Sequence, residues 1–391
     1  MKPRFLAWID IGLAFYAFIA IAIAESGLGV LLPSILMTYN LTTATVTALF
    51  FGQVSGYVVA AFTSSLLSQR IGLARMILLA ATSVTTALCV YASTPYWFVM
   101  VMTGTLLGLG IGLIDAGINT FVAHKQDNAN LMGVLHAFYG VGALSGPAIA
   151  TMILTMGLSW RSAYWVFAAI MGLLVISMVW VILQPYPLMD SSTQTTGQNA
   201  KANLRLALKR PTVIVAGLFL LVYVGMEVSL GNWAYTVETM SRNTPITVAG
   251  YSVTAYWFGL TIGRLSMGQL MKRLGATRLM DVSLVLLTVG LLVWWLLPQQ
   301  LWSLPLIGFA LAAIFPTTIW LMPRRIPAAL VPAAIGYLSS VASVGAVSIP
   351  TAVGWLANKI NLEVIPILML PLAIAMLMLH RWLANQDRLT H

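Results

Sequence analysis

The chain has 391 residues, of which 60% are hydrophobic and only 8% are charged, whereas a soluble domain carries about 25% charged residues. This composition excludes a water-soluble fold. The formal net charge of +10 does not indicate nucleic-acid binding, because the basic residues lie mainly in short connections between long apolar runs.

Twelve apolar segments follow one another along the chain, and most approach the roughly 20 residues that span the hydrocarbon core of a bilayer. They are predicted at residues 7–37, 44–68, 73–93, 97–122, 131–156, 163–184, 212–236, 246–270, 279–297, 302–322, 329–355 and 362–381. The pattern predicts an all-α integral membrane protein with twelve transmembrane helices in two six-helix halves. The halves are residues 1–184 and 212–391, and the polar stretch 185–211 is predicted to be a flexible cytoplasmic linker.

The first segment has some features of a secretory signal peptide, because Lys2 and Arg4 precede it and Ala22-Ile-Ala24 resembles a cleavage site. The apolar stretch nevertheless continues to Leu36. We therefore expect a retained first helix, either tilted or ending in a turn near Pro33.

The distribution of Lys and Arg predicts the orientation of the chain. With the N-terminus in the cytoplasm, sixteen of the twenty basic residues fall on the cytoplasmic side, and only Arg161, Arg242 and Lys359 fall on the other. We expect both termini to be cytoplasmic and the protein to be a multi-pass protein of a bacterial inner (plasma) membrane. Trp294 and Trp295, near a segment end, are interpreted as interfacial anchors.

A short motif and a glycine each occur twice in the chain, at nearly the same spacing. Glu25-Ser-Gly-Leu-Gly29 returns as Glu227-Val-Ser-Leu-Gly231 after 202 residues, and Gly56 matches Gly259 after 203 residues. A carboxylate near the middle of a membrane helix costs roughly 2.5–3.5 kcal/mol on insertion scales. A duplicated buried acid therefore indicates two similar halves with a polar pathway, as in transporters built from repeats.

The turn after the second segment is also duplicated. Leu67-Ser-Gln-Arg70-Ile-Gly72 matches Leu270-Met-Lys-Arg273-Leu-Gly275. These phrases resemble the loop motif of the major facilitator superfamily, but Gln69 and Lys272 stand where that family has an aspartate. The resemblance implies a gating role for Arg70 and Arg273, without the aspartate's ion pair.

Within that superfamily, the chain is similar to the fucose–galactose–glucose proton symporter branch. The matching stretches include Gly108-Leu-Gly-Ile-Gly-Leu-Ile-Asp115 and Leu135-His136-Ala-Phe-Tyr139, with the others in residues 223–233 and 308–316. The resemblance covers nearly the whole chain. It implies proton-coupled symport, with acids in the first and fourth helices acting in proton coupling and sugar binding.

Four titratable residues are predicted to couple protons: Asp115, Glu227, Glu25 and His136. A carboxyl group in a poorly solvated cavity can gain or lose a proton as the cavity opens to either side. Histidine titrates near neutrality and can share such a path. For each residue the alternative is a structural hydrogen bond between helices.

Sugar binding requires hydrogen bonds to hydroxyl groups and an aromatic face against the C–H surface. The candidate substrate-binding residues are Asn119, Asn232, Trp233, Gln53 and Tyr139. Gly225 and Gly231 would allow the seventh segment to break, as the resemblance implies, and a kink would bring Glu227, Asn232 and Trp233 into one cavity. The alternative for Trp233 is an interfacial position.

Arg264 lies deep in the eighth segment, and three roles remain open for it. It can bind an anionic substrate, pair with Glu227, or brace a cytoplasmic gate, and its place just before the duplicated turn favours gating.

We expect a secondary transporter that takes up a small neutral solute, such as a monosaccharide, by proton symport and alternating access. The protein is expected to be a monomer in the lipid bilayer, not an enzyme, with protons and a small-molecule substrate as partners and without cofactor, metal or nucleic acid. A proton-coupled efflux antiporter for drugs or a metabolite is the alternative. Sodium coupling and a non-transporting sensor on the same fold also remain open.

Overall fold

The structure is a computed structural model, and it describes residues 4–123, 128–184 and 200–389. Its regular elements within these ranges are helices, in keeping with the apolar and strongly helix-compatible sequence. The chain divides into two compact units, Met1–Gln194 and Thr195–His391. The all-α architecture with two related halves agrees with the prediction.

Of the α-helices in the described residues, seven lie in unit 1. They are α1 (Arg4–Ser26), α2 (Leu28–Tyr39), α3 (Ala48–Ile71), α4 (Leu73–Ser93), α5 (Trp97–Ala123), α6 (Asn128–Thr155) and α7 (Trp160–Leu183). Unit 2 contains eight. They are α8 (Ala200–Leu208), α9 (Pro211–Thr236), α10 (Ile246–Leu274), α11 (Ala276–Leu296), α12 (Ser303–Ala312), α13 (Ile314–Arg325), α14 (Val331–Lys359) and α15 (Val364–Leu389).

Eleven helices or helix pairs in the described ranges are long and apolar enough to cross a membrane. The pairs α1–α2 and α12–α13 each form one such span. The eighth predicted segment is also helical, as the 29-residue α10, but α10 is not among the eleven. The reason is its composition, since even the uncharged residues 246–263 interleave apolar side chains with Gly, Ser, Thr and Tyr.

The same helix pairs pack together in each unit. In unit 1 the extensive contacts are α1 with α6, α3 with α5, and α4 with α7. In unit 2 they are α9 with α14, α10 with α12, and α11 with α15. The duplication seen in the sequence is therefore present in the packing of the helices.

Glycines permit the closest of these approaches, as expected for helices in a membrane. A Cβ on Gly56 of α3 would overlap the backbone of Thr105 in α5, and a Cβ on Gly259 of α10 would overlap the backbone of Pro305 in α12. The two glycines that match in the sequence thus have the same function in their units.

The turns that follow the second and eighth predicted segments match as well. Gly72 has φ +83° and Gly275 has φ +77°, a backbone conformation that residues with a Cβ rarely adopt. Each glycine lets the chain reverse between two helices without additional residues.

Two predicted interruptions are placed differently in the structure. The first segment breaks at Gly27, next to Glu25, and α2 continues through Pro33. The predicted break in the seventh segment is wrong, because α9 runs unbroken through Gly225 and Gly231. A Cβ on Gly231 would come within 2.9 Å of Trp257, and one on Gly225 would overlap Ile349. These glycines serve helix packing, and α9 instead continues into a π-helical turn, Val237–Ser241.

The predicted linker is partly ordered. Residues 200–208 form α8, which packs against α14, so this part is not a flexible connection. Residues 185–199 of the predicted linker lie outside the described residues.

Candidate functional site

Asp115 lies in the second half of α5 in unit 1, where its carboxylate accepts two hydrogen bonds. Tyr57 of α3 donates its hydroxyl to Oδ2 over 2.6 Å, and Asn119, one turn later on α5, donates Nδ2 to Oδ1 over 2.9 Å. The side chain of Asp115 is half-buried. Both donors are neutral, so the carboxylate is stabilised by hydrogen bonds and not by an ion pair.

Glu25 lies at the end of α1 and is exposed. Tyr139 of α6 donates its hydroxyl to Glu25 Oε2 over 2.8 Å, so one predicted binding residue and one predicted coupling residue are in direct contact. Tyr57 also interacts electrostatically with Glu25. Glu25, Tyr57 and Asp115 therefore belong to one polar cluster inside unit 1.

His136 and Tyr139 share a neighbour, since the ring of Phe18 makes edge-to-face contacts with both, at centroid distances of 5.9 and 6.2 Å. The imidazole of His136 is exposed. Gln53 of α3 is half-buried and reaches Tyr91 of α4. Tyr139 contacts the polar cluster of unit 1 directly, and the coupling and binding roles of His136, Tyr139 and Gln53 stay predictions.

Glu227 of α9 forms an ion pair with Arg264 of α10, at 3.2 Å between Oε1 and Nη2. The two side chains are 12% and 25% exposed. The hydroxyl of Tyr256 donates to the backbone carbonyl of Glu227 over 3.0 Å, and Tyr223 interacts with both charged groups. Of the roles open for Arg264, the structure shows the pair with Glu227, and gating stays a prediction.

Trp233 is fully buried, and its indole N–H donates to the carbonyl of Pro350 over 3.0 Å. The ring therefore helps to hold α9 to α14, so the interfacial alternative is wrong, and a role of Trp233 in sugar binding stays a prediction. Asn232 is half-buried beside it. Since α9 is continuous from Pro211 to Thr236, Glu227, Asn232 and Trp233 project from one unbroken helix, and a cavity shared by them stays a prediction.

Arg70 and Arg273, the predicted gating residues, lie in the last turns of α3 and α10. Both are exposed. Cations in the last turn of a helix interact favourably with the helix dipole, so these positions agree with a local structural role as well as with gating, and gating stays a prediction.

Sequence reasoning missed an ionic cluster at one end of unit 2, which we call the Arg242 cluster. Glu238 of the π-helical turn is 0% exposed and accepts hydrogen bonds from Arg242, Thr244 and Trp294. Arg242 also binds both carboxylate oxygens of Glu363, at 3.0 and 2.9 Å. The interfacial interpretation of Trp294 is wrong, because its indole is buried against Glu238.

Glu363 of the Arg242 cluster lies between two membrane spans. Burial raises its pKa, but the hydrogen bonds and charge of Arg242 outweigh burial and hold the pKa below its ordinary value of 4.5. The only sequence signal for this cluster is an acid just beyond a predicted segment, which is a common surface pattern.

Unit 1 has a related arrangement at its own corresponding end. Arg161, at the start of α7, donates to the carbonyl of Thr94 over 2.8 Å and stacks on the ring of Trp160 at 4.5 Å. In both units a cation therefore joins the ends of neighbouring helices. Among the described residues, no group of three His, Cys, Asp or Glu side chains is placed to hold a metal ion.

The sequence matches the family model of the Major Facilitator Superfamily over residues 14–305 and 234–390. Two curated relatives are each 25% identical to it. One is "Bypass of stop codon protein 6" of Saccharomyces cerevisiae, aligned over 390 residues, 90% of this chain and 77% of the relative. The other is the "Glucose/mannose transporter GlcP" of Bacillus subtilis, aligned over 349 residues, 88% of this chain and 86% of the relative.

Solved structures share the fold at low sequence identity. The nucleoside transporter NupG superposes with a TM-score of 0.74 at 15% identity, covering 99% of this chain and 99% of that one. A D-xylose–proton symporter superposes with a TM-score of 0.74 at 13% identity, covering 95% and 97%. These likenesses establish the architecture that carries the polar clusters of the two units.

Proposed function

Since the chain belongs to the major facilitator superfamily, a family of transporters and not of enzymes, we propose that it is a secondary active transporter that couples the uptake of a monosaccharide to protons by alternating access. The observation that carries this proposal is the Asp115 carboxylate, held in α5 by two neutral donors, Tyr57 and Asn119. Because neither donor is charged, protonation of the Asp115 carboxylate leaves no unpaired positive charge behind, so the group can exist in both protonation states.

The distribution of charge supports a neutral substrate. Arg264 lies within α10, but Glu227 already neutralises it, so an anionic ligand would have to break an existing ion pair. Unit 1 adds the carboxylates of Glu25 and Asp115, which repel anions. Hydroxyl and amide groups on Tyr139, Asn119 and Gln53 suit a ligand rich in hydroxyls.

The relatives favour a sugar within this class. The curated relative from Bacillus subtilis is named a glucose/mannose transporter, and a structural neighbour is a D-xylose–proton symporter. The motifs of the fucose–galactose–glucose symporter branch in residues 108–119 and 135–147 point the same way. A hexose is therefore the first substrate to test, and a pentose the second.

The proposal is tested with the purified protein in liposomes that enclose a pH-sensitive dye. Glucose, mannose, galactose, fucose and xylose are added outside without a proton gradient, and the internal pH is followed. We expect at least one sugar to acidify the lumen, since inward symport carries protons with the sugar. Uptake by symport is refuted if no sugar moves protons, and luminal alkalinisation on adding a drug outside would instead indicate an efflux antiporter.

The same proposal includes the membrane and the orientation. We place the protein in the bacterial inner membrane with both termini cytoplasmic, since basic residues are concentrated on that side of the predicted spans. Fusion of a fluorescent protein and of a periplasmic phosphatase to the C-terminus tests this. Phosphatase activity in place of fluorescence would reverse the orientation.

A further inference from the structure

A partly open cavity of about 120 Å³ lies in unit 1, where α3 ends and α4 begins. Its polar wall is formed by hydroxyl groups of Ser64, Ser65 and Ser68 on α3 and of Thr120 on α5, and its apolar wall includes Met76 of α4. None of these residues belongs to the Asp115 cluster described above.

Two of these hydroxyls are not used by the helix. Serines and threonines in this chain commonly donate to the carbonyl four residues earlier, as Thr63 and Ser83 do at 2.7 and 2.9 Å. The side-chain hydroxyls of Ser64 and Ser68 make no hydrogen bond to any part of the chain that the structure describes. Both side chains are half-buried, so their hydroxyl groups are open to a partner from outside the chain, and water is the smallest one that fits.

The cavity is close to Asp115 along both helices. Thr120 follows Asp115 by five residues on α5, which corresponds to about 7.5 Å along the axis. On α3, Tyr57 is followed at helical spacing by Ser64 and Ser68, so these three side chains share one face. The polar positions thus continue from the carboxylate toward the turn at Gly72.

The cavity has the size and the chemistry for water. A cavity needs roughly 10–15 Å³ of accessible space to hold one water, so this one has room for several, and each ordered water needs two to four polar partners. The hydroxyl groups on α3 and α5 supply such partners on one side, and the waters would supply them to one another.

We propose that this cavity holds a short chain of waters through which Asp115 exchanges its proton with the solution at the α3–α4 turn. A proton leaves the carboxyl group for the first water, each water passes one proton onward, and the last releases one to the solution, so a single positive charge is transferred overall. The path rests on the proposed proton coupling at Asp115, whereas the presence of water in the cavity does not.

Water in the cavity is tested first, without substrate. Met76 is 1% exposed and lines the cavity, and Met100 of the same unit is 0% exposed and does not. In hydroxyl-radical footprinting of the reconstituted protein, we expect Met76 to be oxidised at least about tenfold faster than Met100, because radicals form only where water is present. Equal rates would mean that the cavity is dry and would overturn the proposal.

The path is tested with the double variant S64A/S68A, which removes both unbonded hydroxyls with little change in volume. We expect Met76 oxidation to fall toward the rate of Met100 and sugar-driven proton uptake to slow about tenfold, while sugar exchange at equilibrium changes by less than about twofold. The matched control is T63A/S83A, whose hydroxyls are bonded to helix carbonyls. Unchanged proton uptake in S64A/S68A would refute the path.

The two proposals fail in different ways. If no sugar moves protons in the unmodified protein, the proposed symport fails, and with it the role of the cavity in symport, while Met76 oxidation still shows whether water fills it. If sugar moves protons but S64A/S68A matches the T63A/S83A control, the symport stands and only the path is lost.

Discussion

Arg264 is bound to Glu227 at 3.2 Å, although the sequence makes Glu227 the counterpart of Glu25, which is bound by a neutral tyrosine. The two acids occupy matching places but have different chemical partners. Protonating a carboxylate that is paired with a guanidinium leaves the arginine's charge alone, because Arg does not lose its proton in proteins. We therefore expect Asp115, whose two donors are neutral, rather than Glu227, to exchange the coupled proton.

The first prediction concerns this ion pair. E227Q and R264Q each leave one partly buried charge without its partner, and each is expected to destabilise the protein by about 1–3 kcal/mol. The double variant E227Q/R264Q removes both charges and is expected to recover most of the loss. The measurement is thermal unfolding in detergent, analysed as a double-mutant cycle. Additive losses in the double variant would show that the pair does not act as a unit.

The second prediction separates proton coupling from sugar movement. D115N keeps a side chain of the same size that can still bond Tyr57 and Asn119, but it cannot carry a proton. We expect it to abolish sugar-driven proton uptake and to retain sugar exchange. D281N is the control, since Asp281 contacts Arg381 and His380 in unit 2 at 3.4 and 3.2 Å. Gradient-driven accumulation by D115N would remove Asp115 from the coupling mechanism.

The third prediction is a pH dependence of stability that arises from the Arg242 cluster. Because Arg242 holds the pKa of Glu363 below its ordinary value of 4.5, the ionised group stabilises the folded state above that value. This contribution is lost as the pH falls through the folded-state pKa. E363Q should therefore unfold at a lower temperature than the unmodified protein near neutral pH, and the difference should shrink in acid. A difference that is constant with pH would contradict the assignment.

The fourth prediction concerns the duplicated glycines. G56A and G259A each place a Cβ against the backbone of the neighbouring helix, which cannot rotate away. We expect both variants to lose folded protein in size-exclusion profiles, with a cost above about 3 kcal/mol. G172A in α7 is the control, since a Cβ there meets nothing within 4 Å and alanine favours a helix by about 1 kcal/mol. Normal profiles for G56A would show that α3 and α5 can separate.

The fold was predictable from the sequence, because the lengths of the apolar segments and the repeated motifs can be read without knowledge of tertiary contacts. Glu25 and Glu227, or Gly56 and Gly259, can be compared without knowing which helices touch. The contact of Asp115 with Asn119 was also foreseeable, since one turn of helix separates them. The placement of both residues on one face of α5 required no tertiary information.

The site was predicted less well, because long-range partners are not visible in a single sequence. Tyr57 reaches Asp115 across 58 positions, and in the sequence it is one tyrosine among thirteen. The hydrogen bond from Trp233 to Pro350 of α14 likewise joins residues 117 positions apart, and the sequence around Trp233 gives no sign of it. In a helix that is apolar on all sides, periodicity does not indicate which face meets protein and which meets lipid.

The π-helical turn Val237–Ser241 lies where the register of the repeat changes. The spacing between halves is 202 residues at Glu25 and Glu227 but 203 at Gly56 and Gly259, so unit 2 contains one more residue between these positions. A turn closed from i to i+5 accommodates one residue more than an α-helical turn, and this turn lies in that interval. The additional residue of unit 2 thus has room at the turn that presents Glu238 to its three donors, and the two halves can share a packing plan without sharing a length.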